Sequence, residues 1–230
     1  MDSLTTITRP EGRLAKRRRA TRARLLEAAY DVMSRVGVDA AKIKDITDAA
    51  DVGFGTFYNY FESKDDLAKQ VLDCVIDDLG RRNLAATRAL RGESEALVIP
   101  LSTRLVMREA LATPMWEWWA LRPEMLVDRM RDGFGRFGRD DIRAAVAAGI
   151  VRLDETDIES AWALTTWMMV GGIHDVVVGD RPPDSAVFVV DAIMRMMGLP
   201  LEDARRISAA VLPPYPPPDV DWNFALSAKR

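Results

Sequence analysis

The chain has one cysteine, Cys74, and one histidine, His174, in 230 residues. A single thiol cannot form an internal disulfide. One imidazole and one thiol cannot assemble the usual zinc sets or a Cys–His nucleophile pair. No glycine-rich phosphate loop of the GxxxxGK[ST] kind occurs either. No catalytic residue, metal or cofactor is therefore expected; a small-molecule enzyme built on carboxylates alone stays open as an alternative. Long apolar runs are also missing. The least polar stretch, residues 160–173, has fourteen uncharged residues, short of the ~20 that a membrane-spanning helix needs. No secretory signal pattern opens the sequence, so a cytoplasmic chain without membrane association is expected. No stretch alternates apolar and polar residues as a half-buried strand does. The expectation is an all-α protein.

What is present is charge, unevenly placed. The net charge of −3 argues, taken whole, against a polyanionic partner. The distribution reverses that reading. Residues 1–64 carry twelve Lys and Arg against nine Asp and Glu, whereas residues 65–230 carry twenty against twenty-six. From position 9 to position 24, eight cations face Glu11 alone.

Residues 1–19 show no apolar periodicity and are expected to be a flexible basic arm; a solvated tail with no partner is the plainer alternative. From Thr21 the spacing turns helical, with Leu25, Ala29, Val32 and Val36 on one face and Gly37 at the stop. Ile43, Ile46 and Ala50 mark a second, short helix. After the Asp51–Val52–Gly53 turn, Phe57 and Phe61 mark a third. Ser63 and Asp66 resemble a capping box opening a fourth helix towards residue 90. Pro100, Pro114 and Pro123 punctuate residues 97–148, and Gly133, Gly135 and Gly138 are expected to break or kink a helix there. Thr156 and Glu159 form a second candidate box, for a helix reaching about Val178. Val187, Val190, Met194 and Met197 carry another to Gly198, and a short helix follows Pro200. Residues 213–218 hold five of the twelve prolines, so an extended tail is expected. The organisation expected is a basic arm (1–19), a helix-turn-helix domain (20–66), a helical domain for ligand binding and dimerisation (67–212) and a proline-rich tail (213–230).

The segment KIKDITDAADVGFGTFYNYFESK, residues 42–64, carries the chemistry. A short helix that is held by a partner helix, exposes small and hydrogen-bonding residues and follows a run of cations can enter the major groove of DNA. Burying Phe57 and Phe61 leaves Gly53, Phe54, Thr56, Tyr58 and Asn59 facing outward, and Gly55 permits close backbone approach. Asn59 can pair with adenine and Phe54 can lie on a thymine methyl, at about 1–3 kcal/mol of discrimination per good contact. Thr56, Tyr58 and Lys64 suit phosphate oxygens, which position without reading sequence. Arg17, Arg18, Arg19 and Thr21 on the arm, with Lys42 and Lys44, complete the candidate DNA-binding set. Tyr60 belongs to it too, unless it is simply packed.

Residues 22–72 resemble the DNA-binding domain of the tetracycline-repressor (TetR) family of bacterial regulators. The resemblance lies in Ala28-Ala29, Gly37, Ile43-Lys44-Asp45-Ile46, Ala49-Ala50, Val52, Gly55-Thr56-Phe57-Tyr58, Tyr60-Phe61, Ser63-Lys64 and Leu67. Residues 141–157 are similar to a segment joining two late helices in many members. The resemblance implies an all-helical homodimer with a variable ligand-binding domain, and repression of a double-stranded DNA operator relieved by a small molecule. Three departures stand out. Lys42 occupies a helix-capping position usually held by Ser or Thr, at a typical cost of about 1 kcal/mol. Asp51 replaces a turn glycine, which its tolerance of left-handed geometry allows. Gly53 replaces a capping serine.

Further on, the helix spanning about 157–178 is apolar nearly all round, which requires burial on both sides. Its candidate dimer residues are Trp167, Gly171, His174 and Val178, joined by Val187, Val190, Met194 and Met197 of the next helix; a monomer with a central buried helix is the alternative. Gly171 and Gly172 would each cost about 1 kcal/mol in a helix unless a close helix approach compensates. Trp116, Trp119, Met125, Trp162, Trp167 and Met168 are candidates for an apolar pocket, with Arg104 or Arg108 at a polar end, although such side chains also fill ordinary cores. The function expected is a dimeric DNA-binding regulator released from a pseudo-palindromic operator by a hydrophobic small molecule. An effector-independent DNA-binding dimer is the alternative in the same class.

Overall fold

The computed structural model describes residues 12–220, and every regular element among them is helical. Helix α1 (Arg13–Ala40) begins eight residues earlier than Thr21, so the expected flexible arm needs correcting. Residues 1–11 lie outside the described residues, and 13–19 are helix. The segment RLAKRRR contains only strong helix formers. It shows no apolar periodicity because this turn projects past the core, with residues 13–18 all exposed. Gly37 interrupts α1 at the expected position, with φ 79° and ψ 167°.

Helix α2 (Ile43–Ala49) starts at Lys42 without a side-chain cap, as the missing hydroxyl predicts. Asp51 takes φ 51°, the left-handed turn expected of it. The third element is a 3-10 helix, Phe54–Asn59, and not the α-helix that the Phe57–Phe61 spacing suggests. Its bonds close over three residues, from Thr56 N–H to Gly53 O at 2.8 Å and from Tyr60 N–H to Phe57 O at 2.9 Å. Gly55 and β-branched Thr56 are poor α-helix formers, and a six-residue segment suits the tighter form.

Helix α3 (Lys64–Ala86) is capped by Ser63, whose hydroxyl accepts from Asp66 N–H at 3.0 Å. Asp66 reaches back to Glu62 N–H at 3.1 Å, one residue beyond the Ser63 amide that a full capping box would bond. Phe57, Phe61, Leu25, Leu26, Ile46 and Leu67 are fully buried and lock the first three elements onto α3.

The rest comprises α4 (Val98–Ala110), α5 (Met115–Ala120), α6 (Pro123–Gly133), α7 (Gly135–Ala147), α8 (Ile158–Val177), α9 (Ala186–Met196) and α10 (Leu201–Ser208). The break between α6 and α7 falls at Phe134, inside the expected glycine cluster. The second capping box does not form. Helix α8 has no side-chain cap, and Glu159 instead accepts from Arg139 Nε at 2.7 Å.

Two features join the ends of the molecule. Trp119 donates from its indole N–H to Ala68 O of α3 at 3.2 Å, and Trp116 meets it edge to face at 5.1 Å. Ser34 of α1 donates to the Met115 sulfur at 3.4 Å. Helix α3 itself runs from the end of the 3-10 segment deep into the C-terminal half. The proline-rich tail is extended and docked: Arg82 Nε donates to Pro216 O at 2.8 Å, and the Arg82 guanidinium lies 4.2 Å from the Tyr215 ring. Residues 221–230 of the expected tail lie outside the described residues.

Candidate nucleic-acid interface and ligand cavity

Four residues make the outward face of the 3-10 helix. Phe54 and Tyr58 are 53% and 55% exposed, although both are aromatic. Their rings meet edge to face at 6.0 Å, and Gly55 and Asn59 beside them are exposed. Behind them, Phe57 and Phe61 are buried and hold the segment rigid. Thr56 is half-buried at the edge of a groove between this segment and the N-terminal half of α1. Arg17, Arg18, Thr21, Gly53 and Asn59 line the same groove. Cations are thus placed beside a protruding, exposed surface.

Several expected contacts sort differently. Lys64 Nζ donates to Asp39 O at 2.7 Å and to Ala41 O at 3.1 Å, and so braces the end of α1 against the start of α3. Lys44 pairs with Asp48 at 2.7 Å on the surface, and that hydrogen bond raises its pKa above the ordinary lysine value. Tyr60 is half-buried, with the Arg18 guanidinium 5.8 Å from its ring, and serves packing more than presentation. Arg18 also donates to Asn59 O at 3.4 Å, tying the basic turn of α1 to the 3-10 segment. Arg19 is half-buried, and Lys42 is exposed.

A cavity of about 60 Å³ lies between α3, α4, α7 and α8. Of the residues expected in a pocket, Trp162 lines it. The others go elsewhere, because the tryptophans are needed as mortar between helices. Trp119 is core, and Trp116 faces a separate cleft under the tail, with Tyr30 and Arg82. Met125 and Met168 pack against the core from its edge, and Trp167 points outward. Arg104 donates to Ala210 O near the tail, where burial lowers its pKa, and Arg108 pairs with Glu109 at 3.5 Å.

The cavity's polar residues were not anticipated: Asn83, Arg91, Ser102, Thr103, Asp141 and Thr165. Thr165 carried a readable signal, a hydroxyl inside an otherwise apolar stripe. Arg91 and Asp141 are fifty positions apart and carried none. Arg91 donates to Asp141 at 2.7 Å. Burial raises the Asp141 carboxyl's pKa, and the Arg91 hydrogen bond opposes that rise.

The outer face of α8 bears Leu164, Trp167 and Val178, which are 51%, 44% and 41% exposed, with exposed Gly171 and half-buried His174. On α9, Phe188 is 65% exposed and was not anticipated there. Val190, Met194 and Met197 need correcting. All three are buried in the protomer's own core and present nothing to a partner, while Val187 is half-buried. The two glycines also separate. A Cβ on Gly172 would lie 2.7 Å from a Val189 methyl and 2.8 Å from Met107 Cε, whereas one on Gly171 would meet nothing within 4 Å.

Among the described residues no helix is long and apolar enough to cross a membrane, and no group of three or more His, Cys, Asp or Glu could hold a metal ion. Residues 25–71 match the family model described as bacterial regulatory proteins, tetR family. Residues 95–210 match the one described as tetracyclin repressor-like, C-terminal domain. The chain is 41% identical over 64 residues to the HTH-type transcriptional repressor DhaR of a Mycobacterium species, covering 28% of this chain and 32% of DhaR. It is 34% identical over 80 residues to the HTH-type transcriptional repressor KstR2 of Rhodococcus jostii, covering 34% of this chain and 39% of KstR2. These matches thus span well under half of either curated relative. Over most of its length the fold is similar to that of RolR crystallised with resorcinol, with a TM-score of 0.78, 27% identity, and coverage of 87% of this chain and 98% of that one. Matched through both its DNA-binding and its C-terminal segments, the chain belongs to the TetR family of bacterial transcriptional regulators.

Proposed function

We propose that this regulator is a cytoplasmic repressor that binds a pseudo-palindromic operator as a homodimer and is released by a small, largely apolar effector. The observation that carries the reading is the wet face of Phe54, Tyr58 and Asn59 on a segment pinned by buried Phe57 and Phe61. A monomer gains nothing by exposing two aromatic rings there; a major groove supplies thymine methyls, phosphates and base edges for them. The stripe of Leu164, Trp167, Gly171 and Val178, with Phe188 beside it, supports a partner helix pair. Two recognition segments in such a dimer read half-sites ~34–36 Å apart. DhaR and KstR2 are repressors, and RolR has been crystallised with resorcinol, which supports repression and a small-molecule effector.

Release follows if the effector binds better to a dimer whose recognition segments are misplaced, since equal affinity for both states would shift nothing. The test is fluorescence anisotropy with genomic promoter fragments and scrambled duplexes at fixed salt. Specific binding is expected to exceed scrambled binding by at least a hundredfold, and a ratio below tenfold overturns the reading. Asn59→Ala is expected to relax sequence preference. Arg17→Ala is expected to weaken binding to every duplex and to lower the salt slope by ~0.9.

A further inference from the structure

The cavity between α3, α4, α7 and α8 has an uneven wall. Phe137 and Trp162 supply flat faces, and both lie against helix backbone where only glycine fits: a Cβ at Gly80 would run into the Phe137 ring, and one at Gly138 into that of Trp162. Against this apolar wall stand polar atoms with no hydrogen-bond partner in the protein. They are Asn83 Oδ1, Ser102 Oγ, Thr165 Oγ1 and Arg91 Nε, all buried. Asn83 and Thr165 are only 8% and 3% exposed. The Asn83 amide is oriented by its own donor, since Nδ2 is held by Ser102 O at 3.0 Å. Its oxygen is therefore a committed acceptor, on a residue that lines the cavity. Buried polar atoms are rarely left unmatched, so four of them on residues around one void point to a ligand that matches them.

Charge narrows the class. The ionic groups at the cavity, Arg91 and Asp141, already neutralise each other at 2.7 Å. An anion would lie beside the Asp141 carboxylate, and a cation beside the Arg91 guanidinium, whose charges already offset each other. A neutral group loses less on leaving water. Because Asn83 Oδ1 only accepts, the ligand must also donate.

We propose that this cavity takes a small, uncharged, hydroxylated aromatic molecule, its ring against Phe137 and Trp162 and its hydroxyls on Asn83, Ser102 and Thr165. The inference rests on the effector-release reading and names the effector's class. Size explains how binding would be transmitted. The void is about 60 Å³, well below the roughly 150 Å³ of a protein cavity that accepts benzene. A ring can enter only as the walls part, so the ligand favours an expanded state. One wall is α3, through Gly80, Asn83 and Leu84, and the other end of α3 follows directly on the recognition segment through Ser63 and Lys64. Parting the cavity therefore displaces the same helix that carries the DNA-reading surface.

The test is calorimetric titration of the full-length protein with phenol, the three dihydroxybenzenes, toluene, benzoate and octanoate, with operator anisotropy run in parallel. At least one dihydroxybenzene is expected to bind about tenfold tighter than phenol, and phenol about tenfold tighter than toluene, as one added hydrogen bond each would give. Thr165→Val, nearly isosteric, and Ser102→Ala are expected to remove about tenfold for a hydroxylated ring and to leave toluene binding unchanged. Toluene matching the phenols, benzoate or octanoate binding tightest, no compound binding at millimolar concentration, or variants that weaken all compounds equally would each overturn the proposal. The anisotropy separates the two readings. Phenols that bind in the stated order without moving the operator sink effector release and leave the ligand class standing. Octanoate releasing the operator while phenols are inert sinks the ligand class alone.

Discussion

Replacing Lys64 by alanine distinguishes a brace from a phosphate contact. In the structure its ammonium bridges Asp39 O at 2.7 Å and Ala41 O at 3.1 Å, closing the end of α1 onto the start of α3. A hydrogen bond from a charged donor contributes about 1.5–3 kcal/mol when well shielded. The Asp39 contact is exposed and the Ala41 contact only partly buried. Freeing the side chain also returns up to about 2 kcal/mol of rotamer entropy. The net loss for Lys64→Ala is then about 1–2 kcal/mol, or about 3–6 °C in Tm for a chain of this size. Thermal unfolding by circular dichroism reads the first quantity, and anisotropy on one operator across a potassium chloride series reads the second. A brace predicts a lower Tm with an unchanged slope of log K against log salt. A phosphate ligand predicts an unchanged Tm with the slope reduced by ~0.9. The second pattern would refute the assignment, and Arg17→Ala, on an exposed turn of α1, serves as the positive control for it.

Two further outcomes rest on particular residues. Gly172→Ala must push aside Val189 and Met107, and is expected to destabilise each protomer by about 1–3 kcal/mol in urea unfolding. Gly171→Ala has open space within the protomer, and is expected to stabilise an isolated helix by up to ~1 kcal/mol yet weaken dimer association in sedimentation equilibrium; an unchanged dimer constant would remove Gly171 from the interface. Tyr215 has its pKa raised chiefly by burial, so above about pH 10 the unfolded chain loses a proton that the folded one keeps. Stability should therefore fall with rising pH there, by a fraction of the about 1.4 kcal/mol per pH unit that one proton commands, since the ring is partly solvent-screened. Tyr215→Phe is expected to flatten that alkaline decline in urea titrations at pH 9 to 11, and an identical decline would show that the docked tail does not shield the phenol.

The local features were readable because short-range chemistry controls them. Ser63 caps α3, Gly37 stops the regular part of α1 and Asp51 turns left-handed, each through bonds or dihedrals within a few residues. The burial of Phe57 and Phe61, and hence the exposure of Phe54 and Asn59, followed from their spacing alone. Periodicity failed where apolar residues had more than one place to go. Val190, Met194 and Met197 have the spacing of an interface, yet packing turned them inward and left Phe188 outside. Trp116 and Trp119 have the composition of a pocket wall, but they were needed to join α5 to α1 and α3. The early start of α1 had no apolar periodicity to show it, only helix propensity, because a helix exposed on every side leaves no apolar trace. The ligand cavity was the least visible feature. Its polar atoms come from α3, α4 and α8 and its ion pair from two distant segments, so no local window contains the pattern. Chain order therefore settled where most helices lie, the Ser63 cap and which residues of the Phe54–Asn59 segment face outward, since each depends on neighbours a few residues away. Which apolar side chains line a void, fill a core or face a partner was settled only once the helices packed, because that choice depends on what each face meets.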